Sequence, residues 1–246
     1  MLNGTWLPVT AKLNGQELPA ESLRNMRLLL AGASYTATVN GVRDSGTTQS
    51  APTTNPPALE ITGTEGPNVG RTMLAIYQLD GDKLTVCYDL QGAAYPTEFK
   101  AEAGSQHFLV TYRRMKRITG IGGIFFKAQD SAQLRDWYQA HLGIKTDDYG
   151  GGTFGTSFNW REYDNPDAAG STVWSIFARA SNYFEQPLMI NYRVENLDAV
   201  LDELRVEGVW IDDKREDGEF GRFAWIKDAE GNRIELWEPP AGGIGT

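Results

Sequence analysis

The 246 residues are 41% hydrophobic and carry 32 acidic against 23 basic side chains, a net charge of -9. That is enough apolar chain to bury cores in about two domains, and it is not the composition of a disordered segment. The acidic balance, with no basic patch to override it, excludes nucleic acid and anionic lipid as expected partners. At the N-terminus there is no charged segment leading into an apolar one, and no run approaches the ~18 apolar residues of a membrane span, so a cytoplasmic location and no membrane partner are expected. Strand-like runs then cover residues 5–12, 27–30, 34–39, 58–62, 72–78, 83–88, 97–101 and 108–112, with a short helix near 19–25. The dipeptides Asn14-Gly15, Asn40-Gly41 and Asp80-Gly81 are hairpin signals, because a tight primed turn needs the positive φ that Asn, Asp and Gly tolerate best. Eight sequential strands with hairpin links favour an up-and-down barrel, which leaves no open sheet edge.

The lone Cys87 forbids an internal disulfide, fits a reducing compartment and reads as a core residue of its strand. Arg113, Arg114, Lys116 and Arg117 read as a strand end and a linker between two domains, 1–116 and 117–246. Residues 1–116 hold ten basic and ten acidic side chains, and residues 117–246 hold 13 and 22, so all of the net charge lies in the second half. That half contains a weak duplication. Residues 124–130 are echoed by 190–196, each a strand running into a helix that Asp130 or Ser131, and Asn196, would cap. Leu134, Trp137, Tyr138, His141 and Leu142 form one helical stripe, and Leu197, Val200, Leu201 and Leu204 form the other. Gly143 and Gly208 end them. The repeated unit is a strand, a helix and further strands, about 60 residues long. His141 belongs to its stripe and reads as packing, so His107 and His141 together leave no Ser-His-Asp or Cys-His constellation.

Gly4-Thr5-Trp6, residues 61–68, Ile76-Tyr77-Gln78-Leu79-Asp80-Gly81-Asp82 and Pro96-Thr97-Glu98-Phe99 resemble a lipocalin-like bacterial family of uncharacterised function, over residues 3–114. The resemblance implies a β-barrel closed at one end by Trp6 beneath Arg113 or Arg114, with an interior that either holds a ligand or is filled by side chains. Two βαβββ units and the closing string Asp228-Ala229-Glu230-Gly231-Asn232-Arg233-Ile234-Glu235-Leu236 resemble the vicinal-oxygen-chelate superfamily of glyoxalases, extradiol dioxygenases and bleomycin-resistance proteins, over residues 118–240. That resemblance implies an α+β domain whose paired units form a cup, with metal ligands on four strands. Carried over, those positions are Gly123, Trp174 or Ser175, Met189 and Glu235. Only Glu235 is a ligand type, and catalytic metal centres need about three, so neither a metal nor another cofactor is expected.

Strand alternation puts Arg233 and Trp237 on the face of Glu235, Phe125 and Lys127 beside Gly123, and Asn191 and Arg193 beside Met189. Trp160 and Trp174 add stacking surface, and Arg222 stands at the mouth, so the expected ligand pocket comprises Phe125, Lys127, Trp160, Trp174, Met189, Asn191, Arg193, Arg222 and Glu235. On the alternative reading Glu235 pairs with Arg193 or Arg233 and the aromatics fill the core. Residues 149–155 read as a mobile loop or hairpin and 212–219 as a solvated hairpin. Three functions follow. The first is a metal-free small-molecule binder, a homodimer through its second domain. The second is a lyase, isomerase or dioxygenase with Glu235 as the catalytic base, using a noncanonical metal or none. The third is a structural or interaction protein with both domains filled.

Overall fold

The computed structural model describes residues 2–51, 55–162, 166–167 and 169–240. Its contacts divide the chain into two compact units, Met1–Met115 and Lys116–Thr246. The first unit runs β1(Gly4–Leu13), β2(Gln16–Glu17), α1(Ala20–Arg24), β3(Met26–Ala31), β4(Ser34–Val39), β5(Val42–Ala51), β6(Ala58–Glu65), β7(Thr72–Asp80), β8(Lys83–Asp89) and β9(His107–Arg114). Strands β1 and β3 to β9 pair antiparallel in order and β9 returns to β1, closing an eight-stranded barrel to which β2 adds a two-residue flap. The Asn-Gly turns form as their chemistry dictates, with Asn14 and Asn40 at φ 48° and 50°. Trp6 is fully buried at one end, and Arg114, rather than Arg113, lies over its ring at 4.2 Å.

Two strands differ from the sequence reading. Residues 97–101 are not a strand; they belong to the segment between β8 and β9, where Tyr95 and Phe99 pack over Ala58, Ile76 and Cys87. Leu84, Val86 and Tyr88 take the inner face of β8, so Cys87 points outward and is covered by this segment, its Sγ donating to the Lys100 carbonyl at 3.3 Å. The eighth barrel strand is β5, which the polar run Val42–Ala51 conceals. Its buried positions carry Asp44 and Gly46 in place of hydrophobes. Asp44 accepts from the Tyr35 hydroxyl at 2.8 Å and from Asn68 N and Nδ2 at 2.9 and 3.0 Å. A Cβ on Gly46 would lie 2.0 Å from the Thr62 carbonyl oxygen and 2.8 Å from the Tyr35 ring, so the glycine admits the backbone of β6 first and that side chain as well.

The second unit runs β10(Ile118–Ala128), α2(Ser131–Leu142), β11(Asp147–Gly150), β12(Thr153–Arg161), β13(Ala169–Ala178), β14(Leu188–Val194), α3(Leu197–Val206), β15(Ile211–Gly218), β16(Gly221–Lys227) and β17(Arg233–Glu238). One mixed eight-stranded sheet has the order β11-β12-β13-β10-β14-β17-β16-β15, so each βαβββ unit forms half of it. Asp130 and Asn196 cap the helices, accepting from Gln133 N and Ala199 N at 2.9 Å. Gly143 ends α2 in the left-handed region that a side chain would disfavour. The expected stripe of α2 is split. Tyr138 packs on Phe126 and Trp174, while Trp137 and Leu142 are 48% and 59% exposed. Among the described residues, no helix is long and apolar enough to cross a membrane.

The halves join through antiparallel β10 and β14, where Ile124 faces Ile190. Both stand six residues before their helix cap, so each is the other's counterpart and a local dyad passes between them. Trp174 pairs with Ile124 as Ile234 pairs with Ile190, which makes Ser175 the counterpart of Glu235. Gly155, opposite Ser175, is likewise the counterpart of Trp225, opposite Glu235.

Candidate functional site

The hairpin closed by residues 228–232 fixes the β16–β17 register, because Asp228 accepts from the backbone N of Glu230 and Asn232 at 2.9 Å. This sets Trp225 opposite Glu235, and the parallel neighbour β14 sets Asn191 on its other side. Glu235 is 1% exposed. Its Oε2 accepts from the Tyr183 hydroxyl at 2.6 Å and from Trp225 Nε1 at 2.9 Å, and its Oε1 accepts from Asn191 Nδ2 at 2.6 Å. All three donors are neutral. Burial pushes the Glu235 carboxyl above the usual carboxylate range, and the three hydrogen bonds offset part of that rise. Tyr183 is pushed up as well, by its own burial and then by the adjacent carboxylate. The ion pairs anticipated for Glu235 do not form: Arg233 pairs with Asp212 at 2.9 Å and Arg193 with Glu162 at 3.4 Å. Arg233 instead lies 5.3 Å from the Trp225 ring, and Lys214 lies 4.8 Å from it.

The surrounding surface is aromatic. Phe125, Phe184, Met189 and Trp225 form its buried core, with Phe177, Tyr183 and Phe223 against them. Tyr183 stacks on Phe177 at 5.7 Å and 5°, and Lys127 Nζ, 5.2 Å from the Phe184 ring, donates to the Ser181 carbonyl at 2.7 Å. The link between β13 and β14 therefore folds its own Tyr183 and Phe184 into the cup. Phe125, Lys127, Met189, Asn191 and Glu235 come together there. Trp160 does not bond to Glu235; its Nε1 donates to Thr172 Oγ1 at 3.0 Å and its ring meets the Arg193 guanidinium at 5.6 Å. Trp174 lies on the α2 side of the sheet, against Phe126 and Tyr138, because its neighbour Ser175 takes the inward position. Arg222 is also turned away, since Phe223 and Trp225 hold the inner positions of β16; it pairs with Asp198 at 2.7 Å and Glu238 at 3.2 Å. Sequence reasoning missed Tyr183 and the part played by Trp225. The β16–β17 turn signal could have found Trp225, but Tyr183 sits in an aperiodic link.

At the four ligand positions of the resemblance the side chains do not make a metal cage. A Cβ at Gly123 would lie 2.5 Å from Phe125 Cζ, so that ring occupies the space of a first-strand ligand. Met189 offers a thioether and Ser175 a hydroxyl, and Glu235 faces the positive ends of three N–H and O–H dipoles where a cation needs lone pairs. Among the described residues no three His, Cys, Asp or Glu side chains gather. The residues present do not fit a divalent ion.

Fold and site thus define a domain of two βαβββ halves whose shared cup holds one buried carboxylate among aromatics. Residues 120–236 match the family model of the Glyoxalase/Bleomycin resistance protein/Dioxygenase superfamily, and this segment is a domain of that superfamily. No curated protein matches the chain. Similar solved structures include an NAD-dependent benzaldehyde dehydrogenase from Legionella pneumophila, at 11% identity over 48% of this chain and 97% of that one, with a TM-score of 0.33. Methylmalonyl-CoA epimerase from Mycobacterium tuberculosis is 22% identical over 50% of this chain and 90% of its own, with a TM-score of 0.36. A Streptomyces coelicolor methylmalonyl-CoA epimerase in complex with 2-nitronate-propionyl-CoA is 18% identical over 50% and 99%, with a TM-score of 0.38.

Proposed function

We propose that this is a cytoplasmic two-domain protein whose residues 117–246 bind a small, partly aromatic molecule in the cup beside Glu235, without a metal. One observation carries the reading: a fully buried carboxylate held by the neutral donors of Tyr183, Asn191 and Trp225 inside an aromatic wall. The stacked ring and hydroxyl of Tyr183 mark where a ligand ring and its hydrogen-bond donor would sit once residues 179–187 swing aside. A homodimer through the second unit belongs to the same reading. So does the kinship of residues 1–116 to lipocalin-like barrels, which the up-and-down closure and the Trp6–Arg114 contact support. A second reading, a lyase or isomerase with Glu235 as general base, is favoured by the upward shift of its carboxyl, which brings a base closer to neutral pH.

The test is thermal unfolding against a panel of aromatic acids, phenols and divalent ions, with elemental analysis of the purified protein. A native-state ligand raises the midpoint by mass action. Aromatic compounds are expected to raise it and to lose that effect in Glu235→Leu, while Zn²⁺, Mn²⁺ and Mg²⁺ leave it unchanged. Stoichiometric metal, with a shift that Glu235→Gln abolishes, would overturn the metal-free reading.

A further inference from the structure

Of the three donors on Glu235, two are fixed by the sheet and one is not. Asn191 and Trp225 stand on β14 and β16, where strand register sets them beside the carboxylate. Tyr183 comes from residues 179–187, which join β13 to β14 without a helix or a strand. Arg179, Ala180, Asn182, Glu185 and Pro187 of this link are exposed, while Phe184 is 2% exposed and Tyr183 reaches in to the carboxylate. Its backbone is tied toward its two ends: Ser181 N donates to the Ala178 carbonyl, and the Pro187 carbonyl accepts from Lys127 N, each at 2.9 Å.

Side chains hold what lies between. The Tyr183 hydroxyl donates to Glu235 at 2.6 Å, Phe184 meets Phe177 edge-on at 5.2 Å, and Lys127 Nζ, beside the Phe184 ring, donates to the Ser181 carbonyl. The closed link carries a cost of its own, because Gln186 Oε1 is buried with no hydrogen-bond partner, and water would supply one if the link opened. Withdrawal of Tyr183 breaks no strand pairing. It leaves Glu235 bonded to Asn191 and Trp225, with one acceptor position on Oε2 free for another donor.

We propose that residues 179–187 are a built-in competitor of the cup: Tyr183 occupies the place of a guest's ring and donor, Lys127 latches the link shut, and a guest enters only as the link leaves. The inference rests on the reading of the cup as a binding site and adds its control. The apparent affinity of a guest is its intrinsic affinity reduced by the fraction of molecules whose link is out. Weakening the link therefore tightens binding, whereas weakening a lid or a wall of the site loosens it.

The probe is 4-methylphenol, the tyrosine side chain as a free molecule, followed in the full chain by the ¹³C-methyl signal of Met189, which lies in the core around Glu235. Tyr183→Phe keeps the ring and removes a hydrogen bond to a charged acceptor from the closed state alone, so the dissociation constant is expected to fall about tenfold, from about 1 mM. Lys127→Met keeps the apolar stem and removes the latch, and should lower it about threefold. In the wild type, saturation with 4-methylphenol should speed amide hydrogen exchange across residues 179–187. Equal or weaker binding in Tyr183→Phe, or slower exchange in the link, would overturn the competitor and leave the cup standing as a binding site that the link lines. An unchanged affinity in Lys127→Met would overturn the latch. Failure of the wild type and both variants to bind at all would overturn the reading of the cup and the competitor with it.

Discussion

Replacing Glu235 in turn by Gln and by Leu separates its charge from its hydrogen bonds. In Glu235→Gln the amide oxygen still accepts from Tyr183 and Trp225, and the new Nε2 faces Asn191. The Oδ1 of Asn191 is buried without a partner, so rotating that amide by half a turn lets it accept from the glutamine. Three hydrogen bonds survive and the buried charge is gone. Leucine keeps the volume but strands three donors, each worth about 1 kcal/mol, so Glu235→Leu should be less stable than Glu235→Gln by about 3 kcal/mol. For a unit of this size that is roughly 10 °C in Tm. The wild type should also have a pH slope that both variants lack. Its folded carboxyl is shifted upward by burial, so the folded form binds the proton more tightly than the unfolded chain does. The stability linked to Glu235 is then complete below the unfolded carboxyl value of about 4.3 and is lost as pH rises through the raised folded value. Urea unfolding between pH 4 and 8 measures this by tryptophan fluorescence, which reports mainly on the second unit because Trp6 alone of the seven tryptophans precedes Lys116. A leucine variant as stable as the glutamine variant, or a wild-type profile parallel to theirs, would refute the reasoning.

Two further outcomes follow from local structure. Cys87 is fully buried beneath Tyr95 and Phe99, and burial raises its thiol, so a thiol reagent such as 5,5′-dithiobis(2-nitrobenzoate) should label it only on unfolding; stoichiometric labelling of the native protein would contradict the packing. Asp130→Ala and Asn196→Ala should each destabilise the second unit by about 1 kcal/mol through loss of an N-cap, read as a lower urea midpoint at unchanged slope, whereas a neutral result would mean that tertiary packing alone sets the helix starts.

Sequence legibility followed local chemistry. Asn14-Gly15 and Asn40-Gly41 gave their hairpins away because positive φ selects those residues, and Asp130 and Asn196 announced the two helices through their caps. The closing motif located β17 and Glu235. Strand β5 was hidden because Asp44 at one inward position bonds Tyr35 and Gly46 at the other must lack a side chain to admit the Thr62 carbonyl and the Tyr35 ring, so no apolar alternation exists to be read. Phe99 suggested a strand because an outward-packing segment carries the same aromatic signal as a sheet. The inward set of the cup was only partly readable. Alternation orders residues along one strand, but it did not show that Ser175 rather than Trp174 faces Glu235, which depends on the pairing of β13 with β10. Tyr183 follows no period at all, and only the folded link brings it to the carboxylate.

The dyad between Ile124 and Ile190 gives the cup two matching walls in backbone and two different ones in chemistry. One wall carries Glu235, Trp225, Asn191 and Met189, and the other carries Ser175, Gly155, Phe125 and Gly123 at the corresponding places. A symmetric cradle would accept an elongated molecule in either direction with equal energy. Here a half-turn of the guest exchanges a carboxylate for a hydroxyl and an indole for a glycine closed over by Ser175 Oγ and the Tyr149 ring, so the two orientations differ in free energy. Duplication supplied the shape, and divergence of the copies supplied a head and a tail.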